Sequence, residues 1–470
     1  MKKTLFAAIL LLLALALCCC VQPPADTTAP TVTDAPTAPP TDPPTDPPTD
    51  PPTDPPTEPP TEPTEPEPEL PVMGTVDITT LGAITDEYSD ALVSVQWDDG
   101  FIEEQTVQIR HRGVTSMTAP KKSYNIKFDK KVALFGMDSG KKWSLLGNHF
   151  DKSLLRIVVG FDLAAAMEIP YASQVRLCKV YLDGQYMGIY TAIEPVDAKK
   201  GRVEIDTDAG DFIIERNVFR EEAGVIYIKT NGGLRFEMSD PDVMAEDLVA
   251  ANLALLNDIE AAIRTLDHTV YENYIDVQSF VDFYIFHELI KDIDFGRFST
   301  RYYVTGGILH AGPPWDVDFS MGNISGIYWE TVYQRYCNVG GQGDNSGDSA
   351  RGLWVNKKDF YQWLCQDSWF MDQVYARWQT LQPVIKNLYE ENELGVSRID
   401  LYLQYYSEEL QSNYAKDGAG WDVSKPFTAQ EYHAPASDYA GNVELLRGWL
   451  SRRVAWLNGQ WLPAENEGNA

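Results

Sequence analysis

Cysteine is scarce in this chain, and its placement excludes two ways of stabilising a fold. Three of the six cysteines are consecutive near the start, and the other three, Cys178, Cys337 and Cys365, are scattered. An odd and scattered set fits neither a disulfide framework nor the paired spacing of a zinc site. The globular part must therefore rely on a hydrophobic core, which roughly 390 residues rich in aromatic side chains can build.

Positive charge is also in short supply. The chain has 38 Lys and Arg against 69 Asp and Glu, which gives a formal net charge of −31. Proteins that bind nucleic acid present a basic surface to the phosphates, so nucleic acid is not an expected partner. A cationic partner, or an anionic ligand bridged by a metal ion, fits this charge better.

The first apolar run is too short to cross a membrane. It extends from Leu5 to Leu17 after two lysines, whereas a bilayer span takes about 20 residues. Such a run is typical of a signal-peptide core, and we predict that residues 1–20 are a signal peptide that directs export. Lipid attachment at a lipobox is expected on Cys18, Cys19 or Cys20; the alternative is plain secretion without these cysteines.

Residues 21–72 contain no Lys or Arg and consist largely of repeats such as "PPTDPPTEPP". Proline fixes φ and removes a backbone donor, so this segment is predicted to be a disordered, extended stalk. At about 3.1 Å per residue, fifty residues reach roughly 150 Å. The stalk would hold the following domain away from the membrane, through the cell wall; the alternative is a generic linker.

The pattern from residue 73 to about residue 214 is rich in strands. The stretch "CKVYLDGQYMGIYTAIE" predicts a hairpin that turns at Asp183-Gly184, because this dipeptide between alternating residues is a strong hairpin signal. Helical spacing over Asp151 to Glu168 ends before Pro170. We expect a small antiparallel sheet with one helix packed on it.

Helical periodicity dominates after Ala245. Residues 247–266 and 277–292 predict amphipathic helices. Residues 301–307 and 307–319 predict two short strands, after which helices continue almost to the end of the chain.

These patterns predict an α+β fold. A β-rich N-terminal lobe is expected over about 73–215 and an α-rich C-terminal lobe over about 216–465. Two such lobes leave a cleft between them, and ligands prefer clefts.

Two acidic clusters stand beside the expected strands of the second lobe. In "WDVDF", Asp316 and Asp318 alternate with apolar residues, so a strand would present both carboxylates on one face. Glu288, Asp292 and Asp294 lie about twenty residues earlier. Carboxylate oxygens bind hard cations such as Mg²⁺, which are often shared with substrate phosphates. The alternative is that these acids are hydrogen-bonded structural groups or lie exposed at an edge.

Basic residues concentrate in the first lobe, in "RHRGVTSMTAPKKSYNIKF". Arg112 precedes a turn at Gly113 to Ser116, and Lys122 and Lys127 follow. Backbone N–H groups of such a turn can receive phosphate, and a strand lysine can reach it. The chain has no Gly-x-x-x-x-Gly-Lys-[Ser/Thr] motif, which excludes a P-loop. On its own, this segment fits a solvated basic hairpin better than a phosphate site.

Several of these stretches together resemble one family. "RGVTS…PKKSYNIKF", "KKWSLLGNHFDKSLLR", "VYLDGQYMGIYTAIEPVD", "DFIIE" and "GPPWDVDFSMGN" occur in the order seen in the CotH spore-coat kinase family. The resemblance extends from Ile109 to Asn323, with weaker helical similarity beyond. It implies an atypical protein-kinase-like fold, ATP and Mg²⁺ in the cleft between the lobes, and phosphoryl transfer to Ser or Thr of a protein.

The resemblance also implies roles for the acids. Asp318 corresponds to the principal metal ligand, for Mg²⁺ or Mn²⁺, and Asp316 to a second ligand or its support. Asp294 takes the position of the catalytic aspartate that orients the acceptor hydroxyl. Asp292 stands where the family usually has Asn as a neutral metal ligand.

The remaining implied contacts concern ATP. Lys127 and Lys122, which the sequence does not rank, are expected to contact the phosphates. Arg112 and Ser116 are expected near the phosphates. Glu194, or else Glu215, is expected near the lobe connection, which completes the set of cofactor-binding residues.

Together these features indicate an exported CotH-like kinase that phosphorylates Ser or Thr of a surface or extracellular protein. It would touch the membrane only through its lipid anchor, with the cell wall as a further neighbour. The alternative is a non-catalytic binding or adhesion protein of the cell surface with the same fold. A glycoside hydrolase is the weaker third reading, because it needs two opposed carboxylates about 5–10 Å apart and the sequence specifies no such pair.

Overall fold

The computed structural model describes residues 70, 72–113, 116–218, 220–324, 349–414, 436 and 438–462. The expected signal peptide and nearly all of the expected stalk lie outside these ranges, so both remain predictions. Within the described ranges, no helix is both long and apolar enough to span a membrane.

Seven strands close into a barrel. Their bounds are β1 Gly74–Thr80, β2 Ser89–Trp97, β3 Gly100–Arg112, β4 Ser123–Val132, β5 Gly140–Leu146, β6 Val175–Leu182 and β7 Gln185–Ile193. The order around the barrel is β1-β2-β3-β4-β5-β7-β6. Neighbours are antiparallel except β1 and β6, which close the barrel in parallel.

Alternation along each strand fills the barrel. On β4, Tyr124, Ile126 and Phe128 are buried in its core, as the period of two requires. The expectation of a small antiparallel sheet is corrected, because the barrel closes where Val76 of β1 stands opposite Val180 of β6. A pairing of residues so far apart in sequence leaves no trace in the local pattern.

The predicted hairpin is confirmed. Strands β6 and β7 pair in antiparallel register around Asp183 and Gly184. Both turn residues have positive φ, 49° and 76°, as a two-residue type I′ turn requires. The Asp183 carboxylate also accepts hydrogen bonds from the backbone N–H and the hydroxyl of Thr80, both at 2.8 Å, which ties the turn to the end of β1.

The predicted first helix is confirmed, but it is shorter and packs elsewhere than expected. Helix α1 comprises Arg156–Ala166. Asp151 precedes it in a loop, where its carboxylate accepts the backbone N–H groups of Ser153 (2.9 Å) and Arg156 (2.8 Å). The apolar residues of α1 join the core of the second half of the molecule, not that of the barrel.

A second sheet of five short strands lies beside this larger core. Its strands are β8 Phe212–Arg216, β9 Tyr227–Lys229, β10 Arg235–Asp240, β11 Arg301–Thr305 and β12 Ile308–Ala311. They are ordered β12-β11-β8-β10-β9, and all pairs are antiparallel. The expected lobe boundary after residue 215 therefore falls within β8.

Helices make up most of the rest of the described chain. They are α2 Glu246–Ile263, α3 His268–Tyr271, α4 Val277–Ile290, α5 Tyr361–Leu364, α6 Ser368–Asn387, α7 Arg398–Tyr414 and α8 Tyr439–Trp461. Periodicity predicted α2 and α4 correctly. Aromatic rings join α4 to the second sheet: Tyr302 lies 5.9 Å from Phe280 and 6.2 Å from Phe283, measured between ring centroids. A strand-rich first part and a helix-rich second part are compatible with the α+β class.

One lysine is buried at the end of the barrel. Lys121 is fully inaccessible, and its Nζ donates a hydrogen bond to the carbonyl of Ile189 at 2.5 Å. The same atom lies 4.5 Å from the centre of the Tyr190 ring. Burial lowers the pKa of Lys121 to about 7, because the charged form loses its hydration.

Replacing Lys121 with methionine is expected to stabilise the protein most below pH 7, and progressively less as the pH rises from about 7 to 10.5. The unfolded chain keeps the lysine proton up to its ordinary pKa of 10.5, whereas the folded chain releases it near pH 7. The wild type therefore gains about 1.4 kcal/mol of stability per pH unit above pH 7, and the variant lacks this gain. Urea unfolding of both proteins at two pH values above 7 measures the difference.

The matched control is Lys229→Met, at an exposed position on β9. It should leave the pH dependence of unfolding unchanged. An advantage of Lys121→Met that is the same at both pH values would contradict the assignment of a proton loss to Lys121.

Candidate active site

A cavity of about 240 Å³ opens where the barrel meets the second half of the molecule. It brings together five residues that the sequence predicted for one site: Arg112, Ser116, Asp294, Asp316 and Asp318. Arg112 and Ser116 come from the barrel side, and the three aspartates come from loops of the second half. Acidic and basic side chains thus line one cavity from different parts of the chain.

The "WDVDF" segment is not the strand that its alternation predicted. Strand β12 ends at Ala311, and the following residues are irregular, with a φ of 56° at Asp316. Trp315 and Val317 are nevertheless buried, while Asp316 and Asp318 line the cavity. The acidic and the apolar residues therefore point to opposite sides, as predicted, although the backbone is bent and not extended.

Phe319 departs from the expected pattern. It is only partly buried and lines the cavity, with its ring centroid 5.6 Å from that of Phe150. The core contacts of the segment come from Trp315 and Val317, and Val317 lies against Gly160 of α1. A Cβ at Gly160 would stand 3.0 Å from a Val317 methyl group, so the absence of a side chain there lets the helix and the segment approach.

The carboxylates of the cavity disfavour one another's charge. The pKa of Asp318 is raised well above its usual value, first by burial and then by the charges of Asp316 and Asp294. Asp316 accepts a hydrogen bond from the Ser299 hydroxyl at 3.2 Å. A cation between these oxygens would relieve both the desolvation and the repulsion.

The loop that carries Asp294 begins where α4 ends. Asp292 accepts the backbone N–H of Asp294 through a carboxylate oxygen, at 3.0 Å. The carbonyl of Asp294 then accepts the N–H groups of Arg297 (2.9 Å) and Phe298 (3.1 Å). The backbone around Asp294 is thus a tight turn held at both sides.

The two other acids of this cluster lie beneath the loop and not in the cavity. Asp292 is buried with its carboxylate 3.1 Å from Nδ1 of His287, and burial raises its pKa to about 7. Glu288 is fully buried, 2.9 Å from Arg453, and it accepts the N–H groups of Trp354 (2.5 Å) and Val355 (2.6 Å). Both support the loop from inside the core.

The basic side of the cavity is equally fixed. Arg112 donates to the Ser144 hydroxyl at 2.7 Å, and its guanidinium lies 4.8 Å from the centre of the Trp315 ring. The Ser116 hydroxyl donates to the Arg112 carbonyl at 3.1 Å. Gly113 has a φ of 91°, and a Cβ there would lie 2.0 Å from the Ser116 oxygen. Burial lowers the pKa of Arg112, and Asp316 partly offsets this effect.

Glu215 lines the cavity and makes a further ion pair at its wall. Its carboxylate lies 2.8 Å from Nη2 of Arg301 and accepts the backbone N–H of Ser299 at 3.0 Å. The Arg301 guanidinium also lies 4.8 Å from the Trp315 ring centre. Glu215 is the alternative that the sequence offered to Glu194.

Three residues expected near ATP do not line this cavity. Lys127 is exposed on the outside of β4, because its neighbours in the strand face the barrel core. Lys122 donates from Nζ to the Met117 carbonyl at 2.6 Å. Glu194 pairs with Arg202 and accepts the Gln174 N–H at 3.0 Å, in a separate pocket.

Residues that sequence reasoning left without a role also line the cavity. Asn148, His149 and Phe150 follow β5 and reach the cavity from the barrel side. Burial and the charge of nearby Lys152 lower the pKa of His149 to about 3, so its ring is neutral at physiological pH. The stretch "GNHFD" lies within one of the motifs quoted for the family resemblance. That position was the only signal in the sequence that these three residues belong to the site.

The fit to a divalent cation can be judged from the donors. In the described parts of the chain, no group of three or more His, Cys, Asp or Glu side chains is close enough to hold a metal ion by itself. Mg²⁺ commonly takes only one or two carboxylates and completes its shell with water and phosphate oxygens. Asp316 and Asp318 therefore fit an ion shared with a phosphate ligand.

Comparison with known families agrees with the resemblance in sequence. The model of the family described as CotH kinase protein matches residues 109–457, which include most of the barrel, the second sheet and the helices. The chain belongs to the CotH kinase family. Membership of this family suggests kinase-like activity. A search of curated proteins finds no match.

Replacing Asp318 with asparagine is expected to raise the free energy of unfolding by about 1–2 kcal/mol at neutral pH without divalent cations. The substitution removes a partly buried carboxylate whose charged form is disfavoured by the charges of Asp316 and Asp294. Because the pKa of Asp318 is raised in the folded state, the gain should be full at pH values above it and vanish as the pH falls below the ordinary value of 3.8. Chemical denaturation over this pH range measures it.

The control is Asp282→Asn, which loses a hydrogen-bonded ion pair with Arg377 (2.7 Å). This variant should be less stable than the wild type. A loss of stability in Asp318→Asn as well would contradict the view that Asp318 is destabilising in the folded protein.

Proposed function

We propose that this CotH family member is an ATP-dependent protein kinase that phosphorylates Ser or Thr of a protein in the presence of Mg²⁺ or Mn²⁺. The observation that carries the proposal is the cavity in which Asp294, Asp316 and Asp318 stand together with Arg112 and Ser116. Phosphoryl transfer depends on positioning and charge neutralisation more than on covalent help. This combination of groups supplies both.

Each carboxylate has a role that its surroundings support. Asp318 and Asp316 are the metal ligands, since both line the cavity and the charge of Asp316 disfavours ionisation of Asp318 in the absence of a cation. A bound divalent ion would neutralise phosphate charge during transfer. Asp294 stands on a separate, rigid turn and is assigned to orient and deprotonate the acceptor hydroxyl.

Arg112 is the proposed phosphate contact in the cavity. Its guanidinium is oriented by Ser144 and Trp315, and planar donors of this kind bind phosphate oxygens in a defined geometry. Arg220 also lines the cavity and is the second arginine available to phosphate. Lys122 and Lys127 would reach ATP only if it extended beyond the cavity.

The kinase-like arrangement of lobes belongs to the same proposal. The barrel takes the part of the N-terminal lobe, and the second sheet with its helices takes the part of the C-terminal lobe. The leader and the acidic proline-rich segment support export and a position at the cell surface, with a lipid on Cys18, Cys19 or Cys20. The acceptor would then be a surface or extracellular protein.

The test is phosphoryl transfer by the full-length protein. We expect transfer from γ-labelled ATP to a Ser-rich protein in the presence of Mg²⁺ or Mn²⁺. Asp294→Asn should lower kcat by about 10²–10⁴, the range for loss of a general base, with nucleotide binding retained. Asp318→Asn should abolish transfer and weaken the binding of a metal–nucleotide complex measured by calorimetry.

Asp208→Asn, at an exposed position away from the cavity, is the matched control and should behave as the wild type. A wild type that neither binds nucleotide nor transfers phosphate would overturn the kinase proposal and leave the alternative of a non-catalytic binding or adhesion protein. Transfer that survives Asp318→Asn would show that the metal ligand lies elsewhere.

Arg112 offers a second, independent test. Arg112→Met should raise the KM for ATP by roughly tenfold to a hundredfold, because a hydrogen bond to a charged group contributes about 1.5–3 kcal/mol. Arg112→Lys keeps the charge but loses the fork geometry, and an intermediate KM is expected. Steady-state kinetics at varied ATP decide the order, and an unchanged KM in both variants would remove Arg112 from the phosphate site.

A further inference from the structure

A second recess, of about 200 Å³, lies at the other end of the barrel strands and is strongly basic. We call it the basic recess. Its positive charge comes from three separate stretches of the chain: Lys131; Lys141 and Lys142; and Lys199, Lys200 and Arg202. Asp197 is the one acidic residue among the described residues that line it.

Most of this positive charge is not neutralised locally. Asp197 lies 2.6 Å from Nζ of Lys199 and 3.6 Å from Nζ of Lys142, so two lysines share one carboxylate. In the described structure, Lys131, Lys141 and Lys200 have no carboxylate within 4.0 Å. A surplus of positive charge in one recess of a chain with a net charge of −31 indicates a selective site for anionic groups.

The backbone beneath the lysines is ordered. Arg202 lies with its guanidinium 4.7 Å from the centre of the Trp143 ring and pairs with Glu194. A Cβ on Gly140 would stand 2.3 Å from the Arg202 guanidinium, so glycine is needed for this packing. The backbone of Lys199 donates to the Val203 carbonyl at 3.0 Å. The exposed lysine side chains therefore project from a hydrogen-bonded and packed backbone.

The strands set the distance from the basic recess to the candidate active site. Gly140, at one end of β5, lines the basic recess, and Leu146, at the other end, lines the cavity with the aspartates. Six steps along an antiparallel strand amount to about 20 Å. An extended peptide that reached both sites would need at least about six residues between them.

We propose that the basic recess binds a short anionic segment of the protein acceptor, about six or more residues from the Ser or Thr that is phosphorylated; this rests on the proposed kinase function. Lysine ammonium groups donate hydrogen bonds to the oxygens of carboxylates and of phosphoserine alike. The segment is short because charges are screened beyond about 8 Å at physiological ionic strength and the surrounding surface belongs to an acidic protein. Long polyanions such as nucleic acid would extend onto that surface and be repelled.

Binding is tested without ATP, so that the result does not depend on catalysis. Two fluorescent Gly/Ser peptides are used as probes, one with four glutamates and one with four phosphoserines, together with a neutral Gly/Ser peptide. We expect the full-length protein to bind at least one anionic probe, more weakly as salt increases, and not the neutral one. Fluorescence anisotropy gives Kd, and comparison of the two probes identifies the preferred anionic group.

The decisive comparison is between two double variants of equal charge. Lys141→Glu with Lys200→Glu alters the basic recess, whereas Lys229→Glu with Lys386→Glu alters exposed lysines elsewhere. The first should weaken binding at least tenfold and the second less than twofold, with both folded as judged by thermal unfolding. Equal weakening in both, binding unaffected by the first, or no binding by the wild type would each overturn the proposal.

Transfer assays then separate this proposal from the kinase assignment. An acceptor peptide with its anionic segment ten residues from the serine should have a lower KM than one with a spacing of three, and only the Lys141/Lys200 variant should abolish the difference. Kinase activity without any effect of spacing would overturn docking by the acceptor and leave the kinase assignment intact. Anionic peptide binding without any transfer would overturn the acceptor role and the kinase assignment together.

Discussion

The segment that carries Asp316 and Asp318 must hold two like charges beside a hydrophobic core. Trp315 and Val317 anchor it on the core side, and α1 packs closely against Val317 at Gly160. The two residues are therefore kept together although the charge of Asp316 disfavours ionisation of Asp318. The loop of Asp294 and the other elements that line the cavity surround these two carboxylates.

Much of the fold follows from local patterns in the sequence. The Asp183-Gly184 turn predicted its hairpin because positive φ at both residues is a local requirement, and helical spacing predicted α1, α2 and α4. The closure of the barrel was not predictable, because β1 pairs with β6 after about a hundred intervening residues. The bend at Asp316 was missed since alternation of burial does not require an extended backbone.

The site could be predicted in part for similar reasons. Motif resemblance located the aspartates and Arg112, but it did not distinguish side chains that face the cavity from neighbours that support it. Glu288 and Asp292 illustrate this limit. Both acids lie in the core near the end of α4, where Glu288 pairs with Arg453 and Asp292 lies beside His287. For Lys127, the strand pattern itself indicated the outer face, since Ile126 and Phe128 point inward.

The closed barrel has a consequence for contacts between copies of the protein. A closed sheet offers no unpaired edge to which another chain can add a strand. The second sheet has two edge strands, β9 and β12, of only three and four residues, and short edges are poor templates for such pairing. A domain built in this way can remain at high local density without strand-mediated aggregation.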